Sequence, residues 1–142
     1  MKLRSGCPLN VALEIVGDKW SLLIIRDLLN SKLSFSDFLN SKEAIAKNIL
    51  SDRLKKLSKF KIVDFKHPES NKKVKLYFLT KKGLDLYPTM VELMLWSKKH
   101  SKKLVTSVKG KNVLSEIIKN GKDKYIEKTI SNYISIKERE II

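Results

Sequence analysis

Apolar residues recur at helical spacing through the first third of the chain. Pro8 suits a first helical turn, and Leu9, Ala12, Leu13 and Val16 follow three or four apart until Gly17 stops them. Asp18 is placed to cap a second helix. In it Trp20, Leu23, Ile24 and Leu28 form one stripe, which Leu22, Ile25 and Leu29 widen as at the centre of a core. Ser34 precedes a short helix over 35–40, with Asp37 supporting its first turn and Phe35, Phe38 and Leu39 facing inward. After a short connection a longer helix is predicted over 46–60. Ile49, Leu50, Leu54 and Leu57 share its buried face, and Lys47, Asn48, Ser51, Asp52, Lys55 and Lys59 lie opposite.

Two helices joined by a short turn, the second with a basic outer face, fit a helix-turn-helix. The pattern then changes period. Ile62 to Lys66 and Val74 to Leu79 read as strands, separated by the turn formers His67 to Asn71 and by Lys72 and Lys73. A hairpin with a basic tip directly after a helix-turn-helix is a wing. Thr80 caps a long helix predicted to reach His100, interrupted early by Gly83 and kinked at Pro88. Leu84, Leu86, Tyr87, Met90, Val91, Leu93, Met94, Leu95 and Trp96 cover nearly its whole circumference. A helix on the surface of a small domain buries one side only, so the excess calls for a second copy of the chain.

Beyond it, Lys109-Gly110-Lys111 reads as a hinge. Val113, Leu114, Ile117 and Ile118 precede a break at Gly121, and Ile126, Ile130, Tyr133 and Ile134 begin another amphipathic segment. Two added helices folded back on a dimer are expected, because their stripes would otherwise be exposed. The predicted class is mainly α with a small β-hairpin wing. Residues 1–105 are expected to form a winged helix-turn-helix domain for DNA binding and dimerisation, and 106–142 a C-terminal helical extension.

Charge sharpens this picture. The chain carries 30 basic and 15 acidic residues, a formal net of +15. Residues 44 to 82 hold twelve basic side chains against three acidic ones, whereas residues 1 to 43 hold six against five. A coding bias towards lysine acts evenly along a chain, so the clustering asks for an acidic partner. The longest apolar run, Leu22 to Ile25, cannot span a bilayer, and the first residues lack a signal peptide's apolar stretch, so a cytoplasmic protein without a membrane partner is expected. One cysteine, Cys7, and two separated histidines, His67 and His100, make neither a disulfide framework nor a zinc-ligand spacing. No metal and no cofactor are expected. Without a Gly-rich phosphate loop, an H-E-x-x-H helix or a G-x-S-x-G elbow, no enzyme is expected either.

Four stretches resemble the HxlR-type family of winged-helix regulators of bacteria and archaea. Cys7-Pro8 opens the domain and Gly17-Asp18-Lys19-Trp20 leads the second helix. Leu50-Ser51-Asp52-Arg53-Leu54-Lys55-Lys56-Leu57 resembles the recognition helix, and Tyr77-Phe78-Leu79-Thr80-Lys81-Lys82-Gly83 matches Y-x-L-T-x-x-G. The resemblance covers residues 7 to about 100. It implies a homodimer built from the first and last helices, with Leu9, Leu13, Met90, Leu93, Met94 and Trp96 at the interface. It also implies two recognition helices in successive major grooves of double-stranded DNA, flanked by wings. Five positions depart from the pattern: Ala46 where a capping Ser is common, Lys61 for a Gly, Asp52 on the groove side, and Val74 and Lys75, which reverse the strand alternation.

Within that frame Lys47, Asn48, Ser51 and Lys55 are the candidates for base contact, because they share one exposed helix face. Arg53 spans to a phosphate or braces the neighbouring helix, and Lys72 and Lys73 meet the backbone or minor groove. Cys7 carries two readings. One is a small apolar residue packed where helix one meets its partner. The other, implied by the resemblance, is a redox or electrophile sensor whose thiolate is favoured by Lys2, Arg4 and a helix N-terminus. Trp20 and Trp96 are read as core and interface packing, or else as an aromatic pocket for an unidentified effector. The expected function is a sequence-specific DNA-binding transcriptional regulator. The alternatives are a protein-interaction module on the same fold and a nonspecific, salt-sensitive duplex binder.

Overall fold

Gly17 and Asp18 separate the first two helices of the computed structural model, which describes residues 1–141. Helix α1 (Pro8–Val16) has Pro8 in its first turn and no buried residue. The Asp18 carboxylate then accepts from the main-chain N–H groups of Trp20 (2.9 Å) and Ser21 (3.0 Å), supplying partners that the first turn of α2 (Ser21–Leu29) lacks. Ile25 and Leu28 of α2 are fully buried, as are Leu50 and Leu57 of α4 (Lys47–Lys59) across the core. Each such side chain contributes about 1.5–3 kcal/mol by leaving water. Between them α3 (Phe35–Leu39) carries a capping box, with Ser34 and Asp37 each bonding the other's main-chain N–H. Ala46 makes no such cap for α4.

At the end of α4 the chain turns through Lys61, which has φ +58°. The Ile62 N–H reaches Leu57 O (2.9 Å) and the Lys61 N–H reaches Ser58 O (3.0 Å), the two bonds of a Schellman motif. A glycine would hold this position without the roughly 1 kcal/mol strain of a left-handed lysine. Strands β1 (Val63–Lys66) and β2 (Leu76–Leu79) pair antiparallel, with Val63 opposite Leu79 and Lys66 opposite Leu76. Val74 and Lys75, predicted to lie in the second strand, precede it. The Val74 carbonyl is instead 2.8 Å from His67 Nδ1, a contact that closes the wing loop.

The predicted long helix from Thr80 to His100 is two helices, α5 (Lys81–Leu84) and α6 (Tyr87–Ser101). Pro88 has no N–H to give to Leu84, so it stands in the first turn of α6, where none is needed, and does not kink a continuous helix. Thr80 caps α5 by accepting from the Gly83 N–H at 3.2 Å. A Cβ on Gly83 would lie 2.3 Å from the Ile62 carbonyl oxygen, so this turn packs directly on the start of the wing.

After a short 3-10 turn (Lys102–Leu104) come α7 (Val108–Asn120) and α8 (Lys122–Glu140). Gly110, predicted as a hinge, lies in the first turn of α7, where its N–H donates to Ser107 Oγ at 3.1 Å. Gly121, with φ +82°, breaks the chain between α7 and α8. Both helices pack on α6, and α8 also reaches α2. Ile117, Tyr125 and Tyr133 thereby enter the same core as Ile25, Leu54 and Val91. Part of the apolar excess of α6 is covered this way, by the chain's own last helices. Met90, expected at the subunit interface, is 8% exposed in the core of its own chain, and Met94 is half-buried. Leu9 (66% exposed), Leu13 (49%), Leu93 (50%) and Trp96 (60%) stay open.

Candidate nucleic-acid interface

The buried stripe of α4 turns its other face outward. Lys47, Asn48 and Lys55 are exposed and Ser51 is half-buried on this face, with Asp52 among them. Arg53 points elsewhere. Its Nε donates to Asp18 Oδ1 at 2.9 Å, so the brace to the start of α2 is formed. Burial alone would raise the Asp18 carboxyl. Hydrogen bonds from the Ser21 hydroxyl, the Trp20 and Ser21 main chain and Arg53 together hold it below the ordinary range.

A second ionic cluster, missed in the sequence, fixes the turn between α3 and α4. Arg26 grips Glu43 through Nη1–Oε1 (2.6 Å) and Nη2–Oε2 (3.0 Å), and also donates to Asp27 at 2.8 Å. Asp27 is 5% exposed and takes the Ser41 hydroxyl as well. The hydrogen bond from Arg26 pulls the Glu43 carboxyl down to about 2, while Glu43 and then Asp27 raise the Arg26 guanidinium. The signal was an adjacent Arg and Asp inside the apolar run of α2, a pair that burial cannot leave unpartnered.

The wing supplies the remaining cations. Lys66, Lys72, Lys73 and Lys75 are all exposed, and the Asn71 side chain accepts from the Lys73 N–H at 3.0 Å, shaping the loop that presents Lys72 and Lys73. Ser51 and Lys55 of α4 and Phe65 and Lys75 of the wing line one cleft of about 460 Å³. The helix face and the wing are thus parts of one continuous surface.

Cys7 is exposed within its own chain. The main-chain N–H groups of Asn10 and then Leu9, at the start of α1, lower its thiol from the usual value. Trp20 is half-buried against the core, whereas Trp96 is exposed beside His100, their ring centroids 5.4 Å apart. His67 is exposed on the wing and His100 near the end of α6. No helix among the described residues is long and apolar enough to cross a membrane.

The HxlR-like helix-turn-helix family model matches residues 15–105, from α1 to the turn after α6. YodB, an HTH-type transcriptional regulator of Bacillus subtilis (strain 168), is 32% identical over 93 residues, which are 64% of this chain and 82% of YodB. YdeP, an uncharacterised HTH-type transcriptional regulator of the same strain, is 28% identical over 102 residues, 70% of this chain and 77% of its own. Among solved structures, the putative transcription factor PA1607 superposes with a TM-score of 0.60 and 35% identity, over 68% of this chain and 67% of that one. The reduced form of B. subtilis YodB superposes with a TM-score of 0.57 and 28% identity, over 68% of this chain and 95% of YodB. These relatives are regulators and not enzymes. Helices α7 and α8 lie outside the family match. With a winged fold, a basic second helix of the helix-turn-helix and these relatives together, the chain belongs to the HxlR-like helix-turn-helix family of transcriptional regulators.

Proposed function

We propose that the protein binds double-stranded DNA sequence-specifically as a homodimer in the cytoplasm. Residues 1–105 are its DNA-binding and dimerisation unit and 106–142 an extension. The observation that carries this reading is the set of exposed lysines on α4 and the wing that make no ion pair. Among the described residues none of Lys47, Lys55, Lys72 and Lys73 takes part in an ion pair, while Arg53, Arg26 and Lys32 are engaged internally. Free cations on an exposed helix and loop suit phosphate contacts, and Asn48 and Ser51 between them suit base edges. The exposed apolar positions of α1 and α6 supply a self-complementary face for a two-fold dimer. A salt titration on random duplex tests the electrostatic part. The logarithm of the binding constant should fall linearly with that of salt, and a slope near zero would favour a protein-interaction module.

A second reading concerns the signal. YodB has been solved in reduced, quinone-bound and diamide-treated forms. The exposed Cys7, with its thiol lowered by main-chain donors, supports an oxidant or electrophile as the input here as well. Cys7→Ser should keep fold and DNA affinity. Diamide that releases DNA from the unsubstituted protein but not from this variant establishes Cys7 as the sensor; equal release from both removes that role.

A further inference from the structure

Residues 67–75 join β1 to β2, a loop longer than the about two to five residues of most hairpins. The ladder ends at Lys66 opposite Leu76, so strand pairing stops short of the loop. Two turns shape its interior, with the Asn71 N–H on Pro68 O and the Val74 N–H on Asn71 O, both at 3.2 Å. Neither joins the two ends. That junction is made by His67, whose Nδ1 is 2.8 Å from Val74 O. A carbonyl oxygen only accepts, so Nδ1 carries the proton and donates.

The His67 ring is itself held. It meets the Phe65 ring edge to face at 5.6 Å and 81°, Phe65 lies 5.8 Å from Tyr77, and Tyr77 meets Phe38 at 6.1 Å and 61°. Phe38 belongs to α3 and is 1% exposed. Lys75 Nζ, 4.3 Å from the Phe65 centroid, covers more of that ring. The Tyr77 N–H donates to Leu33 O at 2.8 Å, so the row is also anchored through its backbone to the connection between α2 and α3. Four rings thus run from the core of the helix-turn-helix to the loop that carries Lys72 and Lys73. Edge contacts between rings fix a direction as well as a distance.

We propose that His67 is the positioning residue of the wing: its ring, seated on Phe65, and its bond to Val74 O hold Lys72 and Lys73 in place relative to α4 before any duplex arrives. A slack loop would have to be ordered on binding, and the entropy lost would lower the affinity. The part played by the two lysines rests on the DNA-binding reading, whereas the closure of the loop does not.

Two measurements on the full chain test this role. The first is hydrogen exchange at the Asn71, Lys73 and Val74 amides, followed by NMR without DNA. His67→Ala should speed it about two- to tenfold, the span that one hydrogen bond carries. His67→Asn, whose side-chain amide can stand where Nδ1 stood, should restore most of the protection. His67→Phe keeps a ring on Phe65 but no donor, and should exchange like His67→Ala. The second measurement is the affinity for random duplex at about 0.15 M salt. His67→Ala should raise the Kd about two- to tenfold in the unsubstituted background, and less than about twofold where Lys72→Ala and Lys73→Ala are already present. A general loss of stability would weaken binding equally in both backgrounds, so the cycle separates positioning from folding. Unchanged exchange in His67→Ala, or exchange in His67→Asn as fast as in His67→Ala, overturns the closure. An equal loss of affinity in both backgrounds overturns the positioning. If exchange behaves as expected and the unsubstituted protein has no affinity for duplex, the DNA reading falls and the closure stands. If duplex binds and exchange is unchanged, the role of His67 falls and the DNA reading stands.

Discussion

The hydroxyl of Tyr133, near the middle of the last helix, accepts a hydrogen bond from the main-chain N–H of Leu79 at 2.8 Å inside the core. Leu79 is the last residue of β2, and this N–H points away from β1, where the ladder offers it nothing. Two turns of chemistry converge there, because Lys137 Nζ lies 3.3 Å from the Leu79 carbonyl and 4.5 Å above the Phe78 ring. The extension therefore holds the base of the wing, a role that the family match, ending at residue 105, does not contain.

Tyr133→Phe leaves the Leu79 N–H buried without a partner and removes little volume. The expected loss is about 1–3 kcal/mol of unfolding free energy, read by chemical denaturation. A variant as stable as the unsubstituted protein would show that water reaches this amide and that α8 does not brace the wing.

The Arg26–Glu43 pair gives acid sensitivity a local cause. The Glu43 carboxyl sits at about 2 when folded, below its ordinary value near 4.5. A depressed folded value means stabilisation that is complete above the ordinary value and lost as pH falls towards the folded one. Glu43→Gln should therefore melt below the unsubstituted protein at neutral pH, with the gap in Tm closing between about pH 5 and pH 2. A gap that does not change across this range would mean that Glu43 acts through packing and not through charge. Glu43 is over a third exposed, so the effect is screened and small.

Assembly is tested at Leu93. Leu93 is half exposed in the isolated chain, so Leu93→Glu should leave the subunit folded while placing an unpaired charge in the dimer face. Sedimentation at micromolar protein should show a dimer before the substitution and a folded monomer after it. Monomer in both would remove the basis for two-site binding.

Local chemistry was legible in the sequence where neighbours within one turn decide the outcome. Ser34 with Asp37, Thr80 before Gly83, and the Leu50, Leu54 and Leu57 stripe each act within four residues, and each stands as read. Contacts across the chain were not legible. Tyr133 meets Leu79 across 54 positions and Arg26 meets Glu43 across 17, and no spacing rule reaches that far. The hinge expected at Gly110 failed because Ser107 caps the turn containing it. The continuous helix through Pro88 failed because a proline in a helical pattern can open a new helix as readily as kink an old one. Of the candidate site, the outer face of α4 and the wing lysines are exposed as the pattern implies, and Met90, expected at the subunit interface, is buried within its own chain.

The central claim is a division of labour between α4 and the wing, and the most direct measurement is the affinity of two variants for a selected duplex and for random duplex. Asn48→Ala should cost about 1–3 kcal/mol on the selected sequence while leaving random-duplex binding nearly unchanged. Lys72→Ala with Lys73→Ala should weaken both duplexes and lower the salt slope by about 1 per contact removed. The opposite pattern, in which the wing variant changes sequence preference alone and the helix variant changes nothing, would contradict the account.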